Sequence, residues 1–214
     1  MRAAIVSGAP ATVLDARDFI GSDLFIIGAD RGALTLLEHG VVPDLAVGDF
    51  DSVTEVEFSR IKAESRSVLP LNPEKDETDT EIALNYAMEQ GASEILLYGG
   101  LGGRLDHTIA NIRLLLRFAK LGATIILVEA GNRLRVLSPG THQFAHFRHQ
   151  YLSFFAMEQD VRDLTLTGLK YPLEGATLTQ QDTVCTSNEI VAETFSVAFA
   201  SGFLLMIESS DSKI

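Results

Sequence analysis

The sequence has no tryptophan, a single cysteine and far fewer basic than acidic side chains. With Cys185 alone, no intramolecular disulfide can form, and such sparse cysteine usage fits a reducing compartment. Cys185 stands in a Thr/Val-rich run, where a buried, inert thiol is expected rather than a nucleophile. Lys and Arg number 17 against 29 Asp and Glu, a formal charge of −12. That balance argues against nucleic acid or an anionic membrane as a general partner. No apolar run approaches the length needed to cross a bilayer. The opening "MRAAIVSGAP" has one Arg and an apolar run too short for a secretory signal, so a cytoplasmic protein is expected. No repeat or low-complexity linker is visible. Neither GxxxxGK[ST] nor GxGxxG with its usual spacing occurs, and no Ser-His-Asp order or Cys-His pair suggests covalent catalysis.

What is present is an ordinary globular composition, 46% hydrophobic and 21% charged over 214 residues. That length suits one large domain or two small ones. Up to about residue 130, short apolar runs alternate with helical periodicity, the pattern of parallel α/β architecture. Strands are expected at residues 3–7, 24–28, 45–48, 68–71, 95–98 and 124–128. "TDTEIALNYAMEQGA" (78–92) reads as a helix opening on a capping box, Thr78 with Glu81, and stopping at Gly91. "HTIANIRLLLRFAKLGA" (107–123) reads as another, with Ile109, Ile112, Leu116 and Ala119 as its apolar stripe and Gly122 as its stop. After Glu129 the texture becomes Thr/Val/Phe-rich and punctuated by Gly and Pro. "YLSFFAM" and "VRDLTLTGL" are among several short segments that read as antiparallel β, a small sandwich or barrel. The expected domains are therefore 1–130 and 131–214.

In an open parallel sheet, ligands bind beyond the carboxyl ends of the strands. There this chain concentrates acid. The run "FIIGA" leads to Asp30, "LAVG" to Asp49 and Asp51, "VLPL" to Asp76 and Asp79, and "ILLY" to "GGLGGRLDH" with Asp106. Asp49 and Asp51 share a face of extended backbone and, taken alone, read equally well as a solvated strand end. Asp76 and Asp79 are also natural first-turn helix carboxylates. Four acidic strand ends together read as a site. Clustered carboxylates recruit Mg²⁺, which shares oxygen ligands with phosphates. The glycines of "GGLGG" free backbone N–H groups to approach an anion, and Arg104 adds charge. His107 reads as a local hydrogen-bonding residue. Phosphoryl and nucleotidyl transfer need mainly positioning and charge neutralisation, which these parts supply.

"ADRG" (29–32), "GDFDS" (48–52), "EKDETDTEIAL" (74–84), "GGLGGRLDHTIANI" (99–112) and "SNE" (187–189) occur in the order seen in thiamine pyrophosphokinases, and the chain resembles that family over most of its length. The resemblance implies an α/β N-terminal domain with a mostly parallel sheet that binds ATP and magnesium. It implies an all-β C-terminal sandwich that binds thiamine and dimerises, and a homodimer with sites at the subunit interface. The implied reaction is ATP + thiamine giving AMP + thiamine diphosphate, with the thiamine hydroxyl attacking the β-phosphorus. Asp49, Asp51 and Asp79 resemble the magnesium-binding carboxylates. Asp30, Lys75, Thr78, Arg104 and Asp106 resemble the residues around ATP, and Ser187 and Asn188 the thiamine-contacting segment. Asp49, Asp51, Asp79, Arg104 and Asp106 form the expected catalytic set. Some relatives place a tryptophan against thiamine; this chain has none, so any stacking falls to another residue.

Two rival readings use the same residues. In a haloacid-dehalogenase-type phosphatase, Asp49 would be the covalent nucleophile and Asp51 a general acid/base. Such enzymes carry the motif on the first core strand, whereas here two strands precede it. A nucleotide-sensing module would bind ATP without turnover. Product identity separates the three: inorganic phosphate, nothing, or AMP.

Overall fold

The computed structural model describes residues 1–10, 12–102, 104–145 and 149–211. The chain divides into two compact units, Met1–Ala130 and Gly131–Ile214. In the first, strands β1 (Arg2–Val6), β2 (Leu24–Ala29), β3 (Leu45–Gly48), β4 (Val68–Pro70), β5 (Glu94–Tyr98) and β6 (Thr124–Glu129) pair in parallel, in the order β4-β3-β2-β1-β5-β6. The inner strands are continuous apolar runs because helices cover them: Ile5, Ile27, Val47 and Leu97 have no solvent exposure. Pro70, which has no N–H for a ladder, lies on the short strand at the sheet edge.

The helices are α1 (Arg31–Glu38), α2 (Glu55–Glu64), α3 (Asp79–Glu89) and α4 (Leu105–Lys120). Thr78 caps α3 by accepting from the Glu81 N–H at 3.2 Å, and Gly91 follows its end at φ 87°. The full reciprocal capping box lies on α2 instead, between Thr54 and Glu57. On α4 the buried stripe is Asn111, Leu114, Leu115, Phe118 and Ala119, while the expected stripe member Ile109 is 47% exposed. Burying Asn111 requires a partner for its amide, and it has one, described below.

The second unit is antiparallel β: β7 (Asn132–Leu137), β8 (Gly140–Ala145), β9 (Tyr151–Thr167), β10 (Leu173–Leu178), β11 (Thr194–Phe199) and β12 (Ser201–Ser209). The order is β7-β12-β9-β11-β8, with β10 beside β9. "YLSFFAM" and "VRDLTL" are one strand of 17 residues rather than two. Its first half pairs with β12 and its second with β10 and β11, and Glu158 and Asp163 take positive φ between and within those ladders. Phe154, Val161, Leu164, Phe195, Val197 and Met206 form the core with Cys185. Burial raises the Cys185 thiol above its ordinary pKa, so it is an inert packing residue, as its surroundings predict.

Candidate active site

Sheet register brings the functional residues together. Val6 of β1 pairs with Gly28 on one side and Tyr98 on the other. Ser7, Asp30 and the Gly99–Gly100 turn therefore leave the sheet side by side. One strand further out, Ala29 pairs with Val47 and Gly48 with Pro70, which sets Asp49 beside Asp30. This is the switch point of the sheet, where the chain proceeds to opposite sides of β1, and the crevice beyond it is the expected ligand position.

Asp30 is held in an unusual backbone conformation, φ 52° and ψ −124°, between β2 and α1. Such a conformation costs roughly 1–3 kcal/mol for a residue with a side chain. It is sustained by the close packing of α1 on the sheet: a Cβ on Gly32 would lie 1.8 Å from the Val6 carbonyl oxygen. The turn stands Asp30 against Asp49 and Asp51, and one carboxylate oxygen from each lies within 4.8 Å of the others. Asp30 Oδ2 accepts from Ser52 Oγ at 2.6 Å, while Oδ1 is buried with no hydrogen-bond partner among the described residues. Burial raises the Asp30 pKa against the opposing effects of Ser52 and the Arg31 N–H. Three converging carboxylates with one buried, unpartnered oxygen are a hard-oxygen donor set. They fit a divalent cation such as Mg²⁺, which would relieve both the repulsion and the desolvation.

Lys75 stands beside this cluster, with its Nζ 3.4 Å from Asp49 and 3.0 Å from Asp79. Burial by itself lowers the Lys75 pKa, but Asp79 and Asp49 outweigh it and the net shift is upward, so the lysine is charged. On Asp79 burial prevails over the lysine, and its pKa is raised. Asp30 joins Asp49 and Asp51, and Asp79 pairs with Lys75 across the start of α3.

A cavity of about 510 Å³ adjoins the cluster, with Asp30 as the shared residue. Thr78, Asp79 and Thr80 border it, so the first turn of α3, the positive end of its dipole, faces the space. Lys75, Arg104 and His107 also line it, but Asp49, Asp51 and Asp106 do not. Arg104 and Asp106 make a two-point pair at 2.6 and 3.1 Å. The Arg104 hydrogen bond holds the exposed Asp106 carboxyl down to about 2. The backbone N–H of His107 donates to Asp106 at 2.9 Å. Asp76 is exposed and belongs to neither group. In the glycine turn, Gly99 has φ 67°, and a Cβ there would meet the Ser7 oxygen at 2.4 Å; Gly103 lies outside the described residues.

Three contributors receive no role from the sequence, although Asn111 and Thr80 lie within the quoted motifs. Asn111, 7% exposed, donates its Nδ2 to the Gly100 carbonyl at 2.7 Å and pins the glycine turn. Ser7 and Thr80 share a 2.8 Å hydroxyl contact in the cavity wall. A polar residue inside an apolar helical stripe was the further signal for Asn111; Ser7 leaves none.

In the second unit, Ser187 is exposed with φ 57°, and its N–H donates to Ser153 Oγ. Asn188 is 3% exposed and its side chain makes three hydrogen bonds. Oδ1 accepts from the N–H groups of Tyr171 and Glu189, and Nδ2 donates to the Tyr171 carbonyl.

Comparison with known proteins agrees with this architecture. Residues 16–127 match the family model described as thiamin pyrophosphokinase, catalytic domain, and residues 141–204 match the thiamin pyrophosphokinase, vitamin B1 binding domain. The chain is 37% identical over 209 residues to the thiamine pyrophosphokinase of Bacillus subtilis, covering 97% of this chain and 98% of that one. A crystal structure of the Bacillus subtilis enzyme superposes with a TM-score of 0.93 at 36% identity, over 99% of this chain and 100% of the other. That of Geobacillus thermodenitrificans gives 0.90 at 40%, over 100% and 99%. The Candida albicans enzyme, at 17% identity, shares the fold with a TM-score of 0.82 over 98% and 89%. Neither the phosphatase nor the sensor reading finds support, and the DxD follows the third strand of the chain rather than the first. By both matched segments and by near-full-length identity, the chain belongs to the thiamine pyrophosphokinase family.

Proposed function

We propose that this chain transfers the pyrophosphoryl group of ATP to the hydroxyl of thiamine, giving thiamine diphosphate and AMP. The observation that carries this reading is the sharing of Asp30 between an acid cluster and a cavity bordered by Lys75, the α3 N-terminus and the glycine turn. The thiamine hydroxyl oxygen bonds to the β-phosphorus, and the bond from that phosphorus to the α-phosphate oxygen breaks. AMP leaves with the electron pair, and the hydroxyl proton is given up to solvent.

Each residue has a positioning or charge-neutralising part. Asp30, Asp49 and Asp51 would hold Mg²⁺, with Asp79 at their margin, and the ion would supply charge neutralisation to the phosphate oxygens. Lys75 and the N–H groups at the start of α3, behind the Thr78 cap, hold the transferred phosphates against the cavity wall. Arg104 supplies further positive charge for the nucleotide, and Asp106 fixes its guanidinium. Ser187 faces thiamine, while Asn188 shapes the Ser187 turn and the Tyr171 segment through its hydrogen bonds.

Family resemblance supports a homodimer, so light scattering should report twice the chain mass of 23.2 kDa. No described helix is long and apolar enough to cross a membrane; together with the cysteine usage this supports a cytoplasmic enzyme. The test is mass-spectrometric product analysis with ATP, Mg²⁺ and thiamine. AMP and thiamine diphosphate should rise in equal amounts. ADP with thiamine monophosphate would instead mean transfer of the γ-phosphate and would overturn the assignment.

A further inference from the structure

Two motif residues have no part in that chemistry: Arg31 of "ADRG" and Ser52 of "GDFDS". They touch each other. Arg31 Nη1 donates to the Ser52 carbonyl at 3.1 Å, and Nη2 lies 3.6 Å from Glu57 Oε1. Glu57 is itself fixed by the α2 capping box, its Oε2 accepting from Thr54 N and Oγ1 at 2.7 and 2.9 Å. Ser52 then donates its hydroxyl to Asp30 Oδ2 at 2.6 Å. A continuous set of contacts therefore runs from the first turn of α2 to the carboxylate whose other oxygen is buried without a hydrogen-bond partner among the described residues.

A carboxylate turns freely about its last bond unless one oxygen is held. Holding Oδ2 fixes that rotation and with it the direction of Oδ1, and a charge-assisted bond of this length is strong enough to do so. We propose that Ser52, braced by Arg31, is a positioning residue that sets the Asp30 carboxylate for cation binding. The proposal rests on the reading of Asp30 as a cation-holding residue. If the bond instead only tied the segment after β3 to the start of α1, removing it would lower the melting temperature and leave metal affinity alone.

The test is Mn²⁺ binding to the protein alone, without nucleotide or thiamine, followed by loss of the free-ion paramagnetic resonance signal. Ser52→Ala should weaken binding about ten- to a hundredfold, and Ser52→Thr, which keeps the hydroxyl, should restore it. Arg31→Gln should weaken binding in the same direction and serves if Ser52→Ala folds poorly. In an Asp30→Asn background, Ser52→Ala should have no further effect, because a residue acting through another is silent once that other is gone. Unchanged Mn²⁺ affinity in Ser52→Ala, or an equal loss in both backgrounds, would overturn the proposal and leave the cation reading intact. A wild-type protein that binds no Mn²⁺ would overturn both, whatever its turnover.

Discussion

Asp49 and Asp51 carry charges that the local fold does not need. Asp51 is exposed and Asp49 partly so, and Lys75 keeps Asp79 as a partner if Asp49 is neutralised. Asp49→Asn and Asp51→Asn should each lower kcat on the order of 10²–10⁴-fold, several kcal/mol of lost charge stabilisation. Stability should change by about 0.5 kcal/mol or less. The check is kcat against Mg²⁺ concentration, with thermal melts alongside; wild-type turnover and magnesium dependence in both variants would return the pair to a solvated strand end. Asp106 offers a titration test. Its carboxyl is held at about 2 by Arg104, so the pair contributes fully above the ordinary carboxylate value of about 3.9. The contribution fades as pH falls through the depressed value. Carboxyl NMR of Asp106 should show that low midpoint, and Arg104→Met should bring it back toward the ordinary range. The acids themselves were legible in the sequence because they follow apolar runs. Their gathering at one sheet edge was legible too, but which of them are neighbours was not, because the nearness of Asp30 and Asp49 depends on β2 lying beside β3 in register, which no local pattern encodes.

Among the elements, parallel strands were legible to within a residue or two, since a buried strand is a short apolar run bounded by turns. The stripe of α4 was not, because i,i+4 pairs can be drawn through either Ile109 or Leu115, and the deciding residue is a polar one. Asn111 is buried only because the Gly100 carbonyl accepts its amide. Likewise, "YLSFFAM" and "VRDLTLTGL" read as separate short segments, yet β9 runs through Glu158 at positive φ without ending there. Asn111→Ala would leave that carbonyl without its donor and cost about 1–3 kcal/mol. The glycine turn would also lose its anchor at the cavity wall. Steady-state kinetics should therefore show KM for ATP rising more than kcat falls. A loss of stability with both constants unchanged would confine Asn111 to packing.

Across the whole molecule, the change of texture after Glu129 coincides with the boundary between the two compact units. The first unit concentrates carboxylates, a lysine and the N-terminus of α3 at one end of a parallel sheet. The parts hold, orient and neutralise, which suits moving a diphosphate whole. The most direct measurement follows ATP carrying ¹⁸O in the bridge between its α- and β-phosphates, with thiamine as acceptor. Attack on the β-phosphorus leaves that oxygen on the departing nucleotide, so all of the heavy isotope should appear in AMP and none in thiamine diphosphate. Heavy isotope in thiamine diphosphate, or in ADP formed alongside thiamine monophosphate, would contradict the account.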